Sequence, residues 1–313
     1  MFTLRPTRPP LLAAVAVGTV VALWMIPVAA QTTDDGSTGL SVFAAVILGL
    51  VEGFTEYLPV SSTGHLLVTN EILGLGGTPD ADDALEAYAI CIQAGAILAV
   101  LVLYQERIRQ MIDGLLGRSA EGRRVLLAVI AAFTPTAIIG LALRDVVRDR
   151  LFGVGPIAAA WLVGGVAILL LVRSGFFSRA GIALSSISTT QALLIGLGQA
   201  VALWPGVSRS LVTIIAGVLV GLSLEAAVEF SFLLGLVTLS AATVLTAYTD
   251  GGLLIDTFGF VTPLIGLAVA FVAAVVSVRW MVSWLQTRGF AIFGYYRIAI
   301  GVATFAAIGL GWL

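Results

Sequence analysis

Two short stretches hold most of the polar chemistry found inside the apolar segments of this chain. The first runs Glu52-Gly53-Phe54-Thr55-Glu56-Tyr57-Leu58-Pro59-Val60-Ser61-Ser62-Thr63-Gly64-His65. The second runs Trp204-Pro205-Gly206-Val207-Ser208-Arg209-Ser210, with Thr213 close behind. Glu52 and Glu56 are four residues apart, so they share one face of a helix. Two carboxylates that close repel unless a cation sits between them. A divalent cation, Mg²⁺ or Ca²⁺, answers that repulsion, because such ions take carboxylates together with substrate phosphates. Arg209 offers a planar fork that fits phosphate oxygens. Ser61, Ser62, Thr63, Ser208, Ser210 and Thr213 supply hydroxyls, and Gln199 is a further substrate-binding candidate. Backbone N–H groups at helix starts after Ser62 and Ser208 would attract an anion. His65 is the only histidine and can serve as acid or base near neutral pH. A hydroxyl nucleophile, a carboxylate, a histidine and an arginine at one place point to phosphoryl transfer. The catalytic candidates are therefore Glu56, Ser62, His65 and Arg209, with Glu52 and Glu56 as the metal pair.

Each of these residues has a plainer role open to it. Glu52 and Glu56 could pair with Arg209 as a buried structural cluster. His65 could cap a helix, and the serines could satisfy turn backbone. Glu229 could make a structural hydrogen bond, and Glu71 could sit at an interface. The joint occurrence favours chemistry.

The elements that must position these groups are membrane helices. Hydrophobic residues make up 59 % of the 313, charged residues 11 %, and the mean hydropathy is +1.07. A soluble domain carries about 25 % charged residues. Too few polar side chains remain to cover a water-facing surface, and runs near the ~20 residues of a spanning helix recur. All 16 basic residues are arginine. No basic patch interleaved with aromatics suggests nucleic acid. Cys91 lies in an apolar run and reads as a buried thiol. In residues 1–36, Arg5 and Arg8 precede an apolar stretch, the small residues Val28-Ala29-Ala30 and a polar run. That pattern reads as a secretory signal peptide or an extra N-terminal helix.

The loops sort by charge, and arginine-rich loops stay cytoplasmic. Arg107–Arg124, Arg173–Arg179 and Arg279–Arg288 belong inside. The acidic groups Asp34–Asp35, Asp80–Asp83 and Asp250–Asp256 belong outside. Spans are expected at 85–104, 125–143, 156–172, 226–248, 259–280 and 291–312. The stretch Arg144–Arg150 falls outside as a loop, in some conflict with the rule. Segments 41–75 and 186–222 each leave and return on one side. Each is too short for two spans and has a polar middle, so each is read as a re-entrant pair of half-helices. Non-helical backbone at that depth needs burial in protein or a water-filled cavity.

These two segments are also similar to each other. Gly49-Leu50-Val51-Glu52 aligns with Gly196-Leu197-Gly198-Gln199, 147 residues on. At that offset Tyr57 meets Trp204 and Val60-Ser61 meets Val207-Ser208. Each is followed by three spans, and the two start on opposite sides. The fold expected is all-α and polytopic, an inverted-topology repeat of 37–180 and 181–313. Such folds place sites near the midplane, at the tips of broken helices.

Leu50–Leu66 closely resembles the first signature of bacterial undecaprenyl-diphosphate phosphatases of the bacitracin-resistance type. Ala202–Ser210 resembles the second, and Glu229–Leu234 and Ile92–Gly95 fit as well. The resemblance covers about residues 41–313. It implies removal of the terminal phosphate of undecaprenyl diphosphate, a divalent metal, a homodimer, and a plasma-membrane site open to the outer face. Ser62 would be nucleophile or its helper, activated by Glu56 or His65. Arg209 would hold the diphosphate, and Glu52 with Glu56 would position the metal. Three positions depart from the family pattern. Leu211 stands where Gly usually follows, Ala89 where a Glu is common, and Gly235-Leu236-Val237 where Pro is frequent. A polyprenyl-diphosphate phosphatase is thus the leading expectation. The alternative is a lipid or small-molecule transporter or flippase, since inverted repeats also build transporters.

Overall fold

The computed structural model describes residues 40–313; the expected leader, 1–36, lies outside them. The described residues hold twelve α-helices. In the first half these are α1 (Val42–Thr55), α2 (Ser62–Leu73), α3 (Pro79–Leu103), α4 (Gln105–Leu115), α5 (Ala120–Leu151) and α6 (Val154–Arg173). The second half holds α7 (Thr189–Gln199), α8 (Arg209–Leu219), α9 (Leu224–Thr249), α10 (Gly251–Phe258), α11 (Val261–Arg288) and α12 (Ala291–Gly309). Six of them, α3, α5, α6, α9, α11 and α12, are long and apolar enough to cross a membrane. The protein is a polytopic all-α membrane protein.

Serine and threonine start many of these helices. Ser41, Thr78, Ser119, Ser188 and Ser223 each accept a hydrogen bond from a first-turn backbone N–H, satisfying a donor that the helix leaves open. Three features differ from the sequence reading. The acidic residues at 80–83 are not a loop but the first turn of α3, where Asp80 and Asp82 complement the helix dipole. Residues 144–150 continue α5 to Leu151 instead of forming a loop. The arginine-bearing segment after α3 contains the amphipathic helix α4, which exposes Ile112 and Leu115 and buries Met111.

The two halves carry the same succession of elements: two short helices, a long one, a short one and two long ones. Their packing is reciprocal. Helix α1 lies on α11, the fifth helix of the other half, and α7 lies on α5, the fifth helix of the first half. Gly49 and Gly196, equivalent at the 147-residue offset, make these contacts close. A Cβ at Gly49 would strike the Gly266 carbonyl, and one at Gly196 the Ala132 carbonyl. Hydroxyls on the fifth helices reinforce both seams. Ser277 donates to the Gly53 carbonyl at 2.9 Å and Thr136 to the Gly196 carbonyl at 2.7 Å. Helices α3 with α9 and α6 with α12 pair across the middle. This interlock holds the break between α1 and α2 against the break between α7 and α8.

Candidate functional site

The breaks are where the chain turns against its own preferences. Among the described residues only two non-glycine residues have positive φ, Ser61 (73°) and Ser208 (76°). They are 147 residues apart, and each immediately precedes a helix, α2 or α8. Such a conformation is uncommon for residues with a Cβ and persists where the surroundings impose it. At both places the turn aims the next side chain, Ser62 or Arg209, into the space between the tips.

The surroundings that impose it are visible in the first tip. Four consecutive carbonyls each take a different side-chain donor, and two of them, Leu58 O and Ser61 O, also accept a backbone N–H, from Val60 and His65. Ser210 Oγ donates to Leu58 O (2.8 Å), Arg297 to Pro59 O (3.2 Å) and Trp161 Nε1 to Val60 O (2.8 Å). His65 Nδ1 donates to Ser61 O at 2.6 Å. Ser208 and Ser210 stand 3.0 Å apart, Oγ to Oγ. Because Ser210 spends its proton on Leu58, Ser208 donates to Ser210. The hydroxyls of the second tip thus brace the backbone of the first.

Three of the expected site residues meet directly. Arg209 Nη2 lies 2.6 Å from Glu56 Oε1. Ser62 Oγ donates to the other oxygen, Glu56 Oε2. Glu56 and Ser62 are 7 % and 6 % exposed. The Arg209 guanidinium also lies over the Tyr57 ring, 5.9 Å from its centroid, and its other end meets the backbone of α9 at Gly235. A Cβ at Gly235 would collide with the guanidinium. The departure from the family pattern around Gly235-Leu236-Val237 therefore borders the site.

Several of the buried polar atoms without partners belong to the two segments that carry the tips. Both carboxylate oxygens of Glu52, Arg209 Nη1, Tyr57 Oη and Gln199 Oε1 are buried and accept or donate no hydrogen bond. Buried polar atoms are ordinarily satisfied, so unsatisfied ones ask for an explanation such as a ligand, an ion or water. Glu52 is 1 % exposed, and its polar neighbours are Glu56, Arg209 and Gln93. Among the described residues no group of three or more acidic, His or Cys side chains forms a metal cage. Glu52 still presents two bare carboxylate oxygens beside Glu56, whose own oxygens are taken by Arg209 and Ser62. A free carboxylate suits a hard divalent cation completed by phosphate and water, so the residues present fit one through Glu52.

Other expected residues lie to the side of this contact. His65 is fully buried and makes no hydrogen bond to Glu56, Ser62 or Arg209. A carbonyl only accepts, so Nδ1 carries the proton toward Ser61 O; in the neutral ring Nε2 then accepts from the Tyr296 hydroxyl at 2.7 Å. Trp161 packs on the ring, centroids 4.8 Å apart. Thr63 is exposed on the first turn of α2. Thr213 donates to Arg209 O and accepts from Ser231. Gln199 Nε2 reaches Thr238 on α9 at 3.5 Å. Glu229 sits away from the tips, bound to Arg107 at 2.7 Å. Burial opposes the Arg107 charge, but hydrogen bonds from Arg107 to Glu229 and Glu121 outweigh it and hold the guanidinium above its ordinary pKa. Arg107 and Glu229 border a separate cavity of about 600 Å³ that also includes Tyr104, Glu225 and Gln286.

Two residues at the tips went unnoticed in the sequence, Arg297 and Tyr296. Arg297 had a signal: it is a charged residue in the middle of an apolar run, and such residues are by default functional candidates. Tyr296 had none.

Comparison with known proteins bears on this geometry. The family described as bacitracin resistance protein BacA matches residues 45–303. An undecaprenyl-diphosphatase of Sorangium cellulosum is 42 % identical over 262 residues, covering 83 % of this chain and 84 % of that protein. An undecaprenyl-diphosphatase of a Janthinobacterium species is 39 % identical over 277 residues, covering 86 % and 96 %. The family match includes both tips and five of the six long helices, and ends within α12.

Proposed function

We propose, from the premise that the chain belongs to the BacA family of bacitracin resistance proteins, that it hydrolyses undecaprenyl diphosphate to the monophosphate and phosphate. The observation that carries this reading is the contact of Ser62, Glu56 and Arg209 across two tips remote in sequence. A hydroxyl, a carboxylate able to receive its proton and a guanidinium suited to phosphate lie in contact there, which supports the reading.

Each residue has a role in that reaction. Arg209 grips the terminal phosphate through Nη1, which has no protein partner, and stabilises charge as it develops. The N-termini of α2 and α8 add backbone N–H groups. Ser62 Oγ attacks the terminal phosphorus, forming one P–O bond as the bridging P–O bond breaks. The hydroxyl proton passes to Glu56, and the lipid monophosphate leaves. Water then hydrolyses the seryl phosphate, releasing phosphate and restoring Ser62. Glu52 and Glu56 would hold a divalent cation, which when bound would offset phosphate charge. Ser61, Ser208, Ser210 and Thr213 keep the tips in shape, and Thr63 is open to the substrate side.

Several further points belong to the same reading. The short helices α1 and α2 have 14 and 12 residues. At 1.5 Å per residue each spans about 20 Å, less than the ~30 Å hydrocarbon layer. This supports two re-entrant pairs, α1–α2 and α7–α8, whose tips meet inside the membrane. Arginine-rich segments at 107–124, 173–179 and 279–288 face the cytoplasm, so the first pair, and the site with it, opens outward. A homodimer accompanies the family resemblance, and mass measurement in nanodiscs tests it.

The testing experiment is phosphate release from undecaprenyl diphosphate by the purified protein with Mg²⁺ or Ca²⁺. Wild type is expected to turn over and Ser62→Ala to be inactive. Equal background release from both would overturn the enzyme reading and leave the transporter alternative.

A further inference from the structure

Arg297 is fully buried on α12, yet no carboxylate lies within ion-pair distance of it among the described contacts. A charged guanidinium in such a place is expensive unless its donors are used. Its Nη donors go to backbone, while the buried Nε has no partner. Nη1 binds Pro59 O at 3.2 Å, and Nη2 binds Gly206 O and Ala160 O, each at 2.9 Å. Pro59 belongs to the first tip and Gly206 to the second. They are 147 residues apart, so one side chain holds the same carbonyl of both repeats.

We infer that Arg297 is a positioning residue for the hydrolysis proposed above, locking the two tips in the register that brings Arg209 to Glu56 and Ser62. The physical basis is twofold. The tips are non-helical backbone, and their bare carbonyls must find donors within the protein. A guanidinium presents several donors in one rigid plane, whereas an ammonium is a compact point charge. Only the planar fork reaches carbonyls on two tips and on α6 together. Helix α6 is shaped to admit it: a Cβ at Gly164 would collide with the Arg297 guanidinium. The neighbouring residue, Tyr296, reaches His65 of the first tip at 2.7 Å, so α12 grips the tip at two consecutive positions. Arg297 itself does not contact Glu56, Ser62 or Arg209 by any hydrogen bond, and it acts through the backbone.

The inference rests on the phosphatase reading, and the test keeps the two apart. Arg297→Lys and the milder Gly164→Ala are purified beside wild type and assayed for phosphate release from undecaprenyl diphosphate. In parallel, spin labels at Glu71→Cys on α2 and Leu219→Cys on α8, in a Cys91→Ser background, report the distance distribution between the helices that start at the tips. The expectation is a kcat lowered at least about 10-fold with KM within about 2-fold, and a broadened distance distribution, in both variants. Should Arg297→Lys fail to fold, Gly164→Ala decides alone. Wild-type kcat with an unchanged distribution would overturn the inference. So would a raised KM at constant kcat, which marks direct substrate binding. If wild type itself releases no phosphate, the phosphatase reading fails, and the spin-label distances still decide whether Arg297 fixes the tips.

Discussion

The two tips occupy equivalent places in the repeat and carry opposite chemistry. Where the first has Glu52, the second has Gln199; where the first has Ser62, the second has Arg209; where the first has His65, the second has Val212. Their backbones remain alike, down to the positive φ of Ser61 and Ser208. The backbone likeness is enforced by packing that both halves share: the glycine contacts of α1 on α11 and α7 on α5, and the single guanidinium on Pro59 and Gly206. The side chains are under no such constraint. The comparison teaches that the scaffold is twofold while the site is single. The first tip supplies the hydroxyl and the carboxylates, and the second supplies the cation that faces them.

That division of labour can be broken at either tip. The largest effect is expected at the first. Ser62→Ala or Glu56→Gln removes the proposed nucleophile or proton acceptor and should lower kcat by about 10³-fold or more in a phosphate-release assay. At the second tip, Arg209→Lys keeps the charge but loses the fork, and should lower kcat by about 10²-fold. Chelation sharpens the contrast at Glu52. Excess EDTA should abolish turnover, and Glu52→Gln should raise the Mg²⁺ concentration for half-maximal rate by at least about 10-fold. The equivalent change in the other half, Gln199→Leu, removes a buried amide whose Oε1 has no partner. It should leave activity within about 3-fold and thermal stability unchanged or slightly raised. Equal losses from Glu52→Gln and Gln199→Leu would mean that both halves hold the substrate in the same way.

Much of this arrangement was legible in the sequence, for reasons that are local. Apolar runs of the right length marked the six long helices, and polar interruptions within short apolar stretches marked the two breaks. The 147-residue offset that linked Glu52 with Gln199 also linked the helices that carry them. Glu56, Ser62 and Arg209 stood out because ionisable and hydroxyl groups in apolar surroundings need a reason to be there. What stayed hidden depends on contacts distant along the chain. The engagement of both His65 ring nitrogens, by Ser61 O and by Tyr296 231 residues away, is one such contact. The grip of Arg297 depends on three backbone carbonyls, which no residue type announces. The continuation of α5 through residues 144–150 and the helix at 105–115 were missed because charge was read as loop. At a membrane boundary, charged residues extend a helix into water as readily as they end it.

The central claim is that the two tips form one catalytic centre, and a double-mutant cycle on Ser62 and Arg209 tests it most directly. Phosphate release from undecaprenyl diphosphate is measured for wild type, Ser62→Ala, Arg209→Lys and the double variant. Groups that act in one step are strongly non-additive, so the double variant should be about as slow as Ser62→Ala alone. A double variant slowed by the full product of the two single losses would place Ser62 and Arg209 in independent roles and contradict the account.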